Sequence, residues 1–396
     1  MNLVMISLDA VWGADWELLM SRPNIGPLLR KGLRCCRVQT VYPTLTYPIH
    51  VSMVTGKDPQ QHGILHNQPF DPAGDNGLDD AFAARLKAAG LSPNACRPWH
   101  WDHKDIRSET LFDACQREGR SVCSILWPVT GKHRGIRWNF PEVLAMPWEN
   151  QTLKMLRYGS PLWLLSTELR LKKHRVSTQE PYLSDYAVVL AEDILKRKKI
   201  PHLTAIHLVD CDAMRHHYGV YSTEAVAALD RLDARVGRIL AALRQGGHEK
   251  DTCLLLVSDH GQEDVDISVN LADHLQDFHV QTQSLGRGCY IHFRPGFEHE
   301  KPLIKAHLRT LPFVADIFDE PLLSVDGVSR VVFTDSMASA ADEKATHGFG
   351  AEHTAAKCIL SLTGPGVEDE EKVYMNVKDI PALCARVLGM DWRPSC

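Results

Sequence analysis

Several things that would settle the class of this chain at once are missing from it. There is no long hydrophobic run: the apolar stretch Pro161–Leu165 is far too short to span a bilayer. The opening residues MNLVMISLDAVW carry no basic leader and no small-residue cleavage site, so a secretory signal is not expected. The 11 cysteines are odd in number and contain no Cys-x-x-Cys pair, which argues against a disulfide framework. Cys123 and Cys253 sit inside apolar, strand-like runs, so the cysteines read as reduced, mostly buried thiols of a cytoplasmic protein. The adjacent pair Cys35–Cys36 fits burial better than reactivity. Excess positive charge is also lacking. The formal net charge is −5, which excludes bulk nucleic acid as a partner. No membrane partner is expected, and no repeat or low-complexity tract is seen.

What is present is ordinary in bulk and unusual in one residue. At 396 residues, 44% hydrophobic and 23% charged, the chain can bury one large core or two smaller ones. Twenty histidines are many for this length, and several stand beside Asp or Gly at the ends of apolar runs. Leu3–Leu8, Ser121–Leu126, Leu203–Val209 and Thr252–Ser258 read as buried strands of a parallel sheet covered on both faces. Helices are predicted near Ser108–Glu118, Tyr182–Lys198, Ser222–Gln245 and Val377–Leu388, the third stopped by Gly246–Gly247. Strand–helix alternation implies an α/β sandwich. Residues 284–330 mix a strand, Cys289–Arg294, with a helix near Leu303–Thr310, and are expected to form a small inserted subdomain.

Three predicted strands run into carboxylates: Asp9, then Asp210 and Asp212, then Asp259 with His260. Ligands of α/β sheets bind beyond the carboxyl ends of the strands, so these groups should converge on one rim. Asp9, Asp212, His216, Asp259, His260 and His347 are the candidate metal ligands. Oxygen and nitrogen donors of this kind suit zinc, three or four to an ion, so six suit two ions. Asp212 and His216 share a face if their segment is helical. Gly261 should let the backbone turn sharply after His260. Taken singly, a strand-end Asp is as readily an ordinary loop or cap residue; the order of all of them is what points to a metal site.

The segment Pro43–His50, PTLTYPIH, places Pro48 where it suits the first turn of a helix that Thr46 precedes. A hydroxyl there faces the positive end of the helix dipole, where a phosphate is also favoured. Metal coordination would lower its pKa and make it a nucleophile. The plainer reading is that Thr44 or Thr46 is an N-cap.

At these residues the chain resembles the alkaline phosphatase superfamily, and most closely its nucleotide pyrophosphatase/phosphodiesterase branch, the type I phosphodiesterases. The matching runs are Asp9; Thr46-Tyr47-Pro48-Ile49-His50; Thr55-Gly56, Pro59, His62-Gly63-Ile64 and Asn67; Asp212, His216, Tyr218 and Gly219; Ser258-Asp259-His260-Gly261; and Thr346-His347-Gly348-Phe349. The resemblance implies an alkaline phosphatase-like sandwich, with a largely parallel central sheet flanked by helices, as one catalytic domain over 1–396. It implies two divalent ions, Zn2+ before Mn2+. One would be held by Asp212, His216 and His347, the other by Asp9, Asp259, His260 and the Thr46 oxygen. Thr46 would form a covalent phospho-threonine, and Asn67 would donate a hydrogen bond to a non-bridging phosphate oxygen. A neutral amide there, in place of an Arg, favours diesters over monoesters. Tyr47 would line the pocket and stack on a base, or else simply pack. The substrate expected is a small phosphate ester such as a nucleotide.

Departures from the family pattern are Ile49, where Asn is usual, and Arg215, where Gly is usual. Arg215 is a cation expected to meet a substrate phosphate or a surface carboxylate. His217 follows His216, but the spacing from Asp212 selects His216. The stretch from Trp127 to Asp185, with Trp148, Trp163 and the basic run Arg170–Arg175, matches poorly. A phosphomonoesterase, a phosphonate hydrolase or a mutase of the superfamily would keep the same ligands; a catalytically silent relative is the non-enzyme alternative, and the intact ligand set counts against it, because an inactive relative would be expected to lose a ligand.

Overall fold

Continuous apolar runs with no polar alternation leave a strand no face to give to water, so each must be covered on both sides. A computed structural model, which describes residues 1–70, 98–146, 148–334 and 343–392, shows how that is done. In chain order its main elements are β1 (Asn2–Leu8), β2 (Leu33–Gln39), α1 (Thr46–Thr55), α2 (Leu111–Arg117), β3 (Val122–Ile125) and β4 (Ile136–Phe140). Then come α3 (Gln151–Tyr158), α4 (Pro161–Leu171), α5 (Tyr182–Leu195), β5 (Leu203–Leu208), α6 (Asp210–Tyr218), α7 (Thr223–Gly246) and β6 (Thr252–Ser258). The chain continues with β7 (Val280–Ser284), β8 (Gly288–Phe293), α8 (Lys301–Leu308), β9 (Val314–Phe318), β10 (Ser324–Gly327), β11 (Lys357–Thr363) and α9 (Ile380–Leu388).

The central sheet runs β2-β11-β6-β1-β5-β3-β4, with the short strands Glu370–Glu371 and Met375–Asn376 both paired to β2. β11 is antiparallel to both its neighbours, and the other pairings are parallel. β1 shows how the faces divide. Leu3 and Met5 point into one core with Ile49 and Met53 of α1 and Leu383 of α9. Val4, Ile6 and Leu8 point into another, with residues of α5 and α7. Each such side chain, fully buried, contributes about 1.5–3 kcal/mol, so the middle strands are fixed in register by both layers. The expected sandwich with a mainly parallel sheet is what the chain forms.

The strands and helices predicted from sequence lie within a few residues of these bounds. β2, β4, β11, α3 and α4 were not anticipated. β2 reads LRCCRVQ and interleaves charges with its apolar residues, because it lies toward the sheet edge and is only partly covered. The segment expected to be inserted over 284–330 holds a separate four-stranded antiparallel sheet, β9-β10-β8-β7, beginning at Val280. Cys289, Ile304, Leu308, Val325 and Phe333 form its own core.

β1, β5 and β6 stop level with one another: Leu8 pairs with Leu208 on one side and Ser258 on the other. Asp9 and Asp259 therefore leave the sheet side by side. Asp210 does not join them. It is fully buried against α7, where Arg231 donates to it at 2.7 and 2.8 Å and Arg235 at 2.5 Å. Asp210→Ala should leave the Arg235 guanidinium buried without its closest partner and lower stability by about 3–5 kcal/mol in urea titrations. A loss below about 1 kcal/mol would show that Asp185 alone holds Arg235.

Candidate metal centre and active site

The helix α6 begins at Asp210, so Asp212 and His216 lie one turn apart on one face, with His216 Nε2 3.3 Å from Asp212 Oδ1. His347 comes from the short segment after strand Ala345–Thr346, and its Nε2 is 4.0 Å from the same oxygen. Asp212, His216 and His347 thus each present one donor atom within 4.8 Å of the others. Asp9, Asp259 and His260 form a second such group. Between the groups the His260 and His347 rings stack at 3.9 Å. His217 is exposed and outside both.

Each histidine is turned the same way. His216 Nδ1 donates to Ala345 O at 2.8 Å, His347 Nδ1 to Thr44 O at 2.9 Å and His260 Nδ1 to Gly261 O at 3.3 Å. For His260 and His347 a proton on Nδ1 leaves the Nε2 lone pair facing the site, which is the form that binds a metal. His216 differs: against burial, which lowers it, the Asp212 carboxylate raises it to about 10, so its Nε2 holds a proton that an ion would have to displace. Burial also pushes His260 down to about 4 and His347 down to about 3, so both are neutral near pH 7.

The carboxylates tell the same story from the other side. Asp9 Oδ1 and Asp259 Oδ2 are buried oxygens with no hydrogen-bond donor. Burial, and then repulsion from Asp259 and Asp212, raises Asp9 well above the usual carboxylate range. Burial likewise raises Asp259. Buried carboxylate oxygens without donors cost several kcal/mol unless a cation meets them. The donor set therefore fits divalent ions.

Thr46 is the first residue of α1 itself, and its N-cap is Leu45, so neither Thr44 nor Thr46 is the cap. Thr44 instead donates through its hydroxyl to Phe349 O at 2.9 Å. The Thr46 hydroxyl lies 3.3 Å from His260 Nε2, at the edge of the second group. Asn67 Oδ1 accepts from the Tyr47 N–H at 2.9 Å, which fixes the amide beside the same helix turn and leaves its NH2 as a donor. His50 donates to Thr46 O at 2.8 Å and meets Ser7 Oγ at 2.9 Å, pinning α1 to β1. His62 bonds Ser52 Oγ at 3.0 Å, so that motif holds the turn leading to Asn67. Tyr47 is fully buried among Val51, Ile64 and Trp101, with Trp99 edge-on at 5.1 Å. It packs, and offers no exposed face for stacking.

The family profile for type I phosphodiesterase / nucleotide pyrophosphatase matches residues 3–314. The chain belongs to that family. It is 26% identical over 246 residues to human ectonucleotide pyrophosphatase/phosphodiesterase family member 1, a match covering 61% of this chain and 21% of that protein. Venom phosphodiesterase CdcPDE of Crotalus durissus collilineatus is 22% identical over 417 residues, covering 96% of this chain and 44% of the relative. The chain thus spans less than half the length of these curated relatives. Among solved structures, murine ectonucleotide pyrophosphatase/phosphodiesterase 5 shares the fold, with a TM-score of 0.71 at 17% identity, covering 100% of this chain and 97% of that one. An inactive form of that mouse protein was solved in complex with AMP.

Two expectations need correction. Arg215 meets neither substrate nor a surface carboxylate. It is 1% exposed, its guanidinium bonds Asp15 at 2.7 and 3.1 Å and it lies over the Trp12 ring at 4.3 Å. It ties the loop after Asp9 to the helix that carries Asp212 and His216. Gly261 is small for a different reason from the one expected: a Cβ there would lie 2.3 Å from the Trp12 ring. The backbone argument applies to Gly348, at φ +86°, where a Cβ would lie 1.6 Å from Leu285 O.

Two residues beside the ligands were missed. His207 Nε2 donates to Asp9 Oδ2 at 3.0 Å from inside β5, where its apolar neighbours disguise it as a core residue. Gln262 Nε2 donates to Asp212 Oδ1 at 2.5 Å, and its own Oε1 is buried without a partner. Partners of this kind fix a ligand's direction and commonly govern affinity by 10–100-fold. Gln262→Met keeps the bulk and removes the donor. It should weaken zinc binding by about tenfold in a chelator competition, and unchanged affinity would show that Gln262 only fills space.

Proposed function

We propose that the chain hydrolyses phosphodiester or nucleotide pyrophosphate bonds through two divalent ions, with Thr46 as nucleophile. The observation that carries this is the Thr46 hydroxyl at the N-terminus of α1, 3.3 Å from His260 and beside two separate ligand groups. In this reading Asp212, His216 and His347 hold one ion and Asp9, Asp259, His260 and Thr46 the other, with zinc favoured by the nitrogen-rich donors. Bound ions would lower the pKa of the hydroxyl and stabilise charge on the leaving oxygen.

The chain supplies the remaining parts. The first turn of α1 directs its dipole toward the phosphoryl group. The ionised Thr46 oxygen attacks phosphorus, its bond to phosphorus forming as the bond to the leaving oxygen breaks. Water then cleaves the Thr46 phosphate ester and releases the product, restoring the hydroxyl. The Asn67 NH2 group serves a non-bridging oxygen. A neutral donor there suits a singly charged diester better than a dianionic monoester. The AMP complex of the structural neighbour supports a nucleotide as one half of the substrate. Eight of the nine described cysteines are buried, as packed thiols are.

Thr46→Ala should lower hydrolysis of a nucleotide p-nitrophenyl ester at least about a thousandfold while zinc content is kept. Full activity in that variant would sink the nucleophile assignment. Faster cleavage of a p-nitrophenyl monoester than of the diester by the unmodified chain would favour the phosphomonoesterase reading instead.

A further inference from the structure

The segment that matches the family poorly contains a surface unlike the rest of the molecule. Helix α4 buries Trp163, Leu164 and Thr167, and so turns its opposite face outward. On that face Leu162 is 85% exposed, Leu165 49% and Leu169 84%. These positions, three and seven residues on from Leu162, lie within one stripe of a 3.6-residue helix. Leu153 of α3 is also exposed. Isolated surface leucines are common, whereas an aligned row of them marks an interaction site.

Two further features adjoin the row. Lys172, Lys173 and His174 follow α4 directly and are exposed. Arg170 and Arg175 are engaged by Asp193 and Glu168, but among the described residues no carboxylate pairs with Lys172 or Lys173. Beneath α3 and α4 lies an apolar cavity of about 130 Å³, lined by Phe140, Met155, Leu156, Leu164, Tyr186 and Leu190.

We propose that the exposed face of α4 is a peripheral docking surface for a lipid bilayer with anionic headgroups. The leucine row would enter the acyl boundary while Lys172 and Lys173 meet the headgroups, the arrangement of an interfacial amphipathic helix. The cavity gives a flexible acyl segment somewhere to go. A second copy of the chain fits less well: a two-fold interface sets the patch against itself, and the carboxylate this helix brings, Glu168, is already engaged by Arg175 and not free to meet Lys172 or Lys173. The sequence reading expected no membrane partner because no segment can span one, but a surface-bound helix needs no span.

The test is co-sedimentation of the full chain with phosphatidylcholine vesicles and with the same vesicles containing phosphatidylserine. The unmodified chain should bind the phosphatidylserine vesicles selectively, and less at high salt. Lys172→Glu with Lys173→Glu should weaken binding by at least about 25-fold, about fivefold for each lysine lost. Leu162→Ser with Leu169→Ser should weaken it by about tenfold or more. Both pairs are on the surface, so urea titrations should show unchanged folding. Absence of binding by the unmodified chain, or equal binding by the leucine variant, would overturn the proposal. So would a concentration-dependent dimer in sedimentation velocity that the leucine variant abolishes, since the occupant would then be a second copy.

Discussion

Three parallel strands that end at one level bring together carboxylates that cannot be stable together alone. β1 and β6 deliver Asp9 and Asp259 side by side, and α6, rising from the end of β5, adds Asp212 within a turn. The register that does this is set elsewhere, by Leu3, Met5, Val4, Ile6 and Leu8 packing into two cores. A slip of one residue would move every one of these side chains to the wrong layer. The sheet thus holds Asp9 and Asp259 against burial first and repulsion second, while Asp212 is met by His216, and the two donorless oxygens are what suit the site to cations.

Around that centre the histidines are set by backbone carbonyls and not by one another. Ala345 O, Thr44 O and Gly261 O each take an Nδ1 proton, so the metal-facing nitrogen is chosen by the path of the chain. Histidines far apart in the chain can therefore present the same nitrogen to one site. The segment before Thr46 and the segment bearing His347 support each other, since Thr44 O orients His347 while Phe349 O accepts from the Thr44 hydroxyl. The segment carrying Thr46, the proposed nucleophile, and the candidate ligand His347 are placed by one set of contacts, and disturbing either would disturb both.

How much of this was legible depended on how local the physics is. The middle strands showed in the sequence because burial on both faces leaves unbroken apolar runs. β2 did not, because it lies toward an edge of the sheet and interleaves charges with its apolar residues; β11 is as buried as the middle strands, but its apolar run Cys358–Leu362 is broken by Ser361 and its strand is antiparallel to both neighbours. The six candidate ligands and Thr46 could be picked out because residue type, strand ends and helix spacing all mark them. His207 and Gln262 could not, since nothing in a sequence tells a histidine in an apolar strand that serves a carboxylate from one that simply packs. Asp210 misled for the opposite reason: its position after β5 matches that of Asp9 after β1, but its partners come from α7, a distant and unseen face.

Arg215 shows how a departure from the family pattern can serve the site without touching it. A glycine at this position would leave α6 and the loop Ala10–Asp15 in contact only through packing. The guanidinium adds a buried two-pronged bond to Asp15 and a cation–π contact to Trp12. A buried ion pair of this kind contributes little net stability, because desolvation offsets most of the attraction. Its geometry, however, is demanding, and it joins the segment after Asp9 to the helix bearing Asp212 and His216. Trp12 in turn occupies the space that makes Gly261 necessary beside His260. One cation thereby links the segments that carry the two candidate ligand groups, without itself facing either.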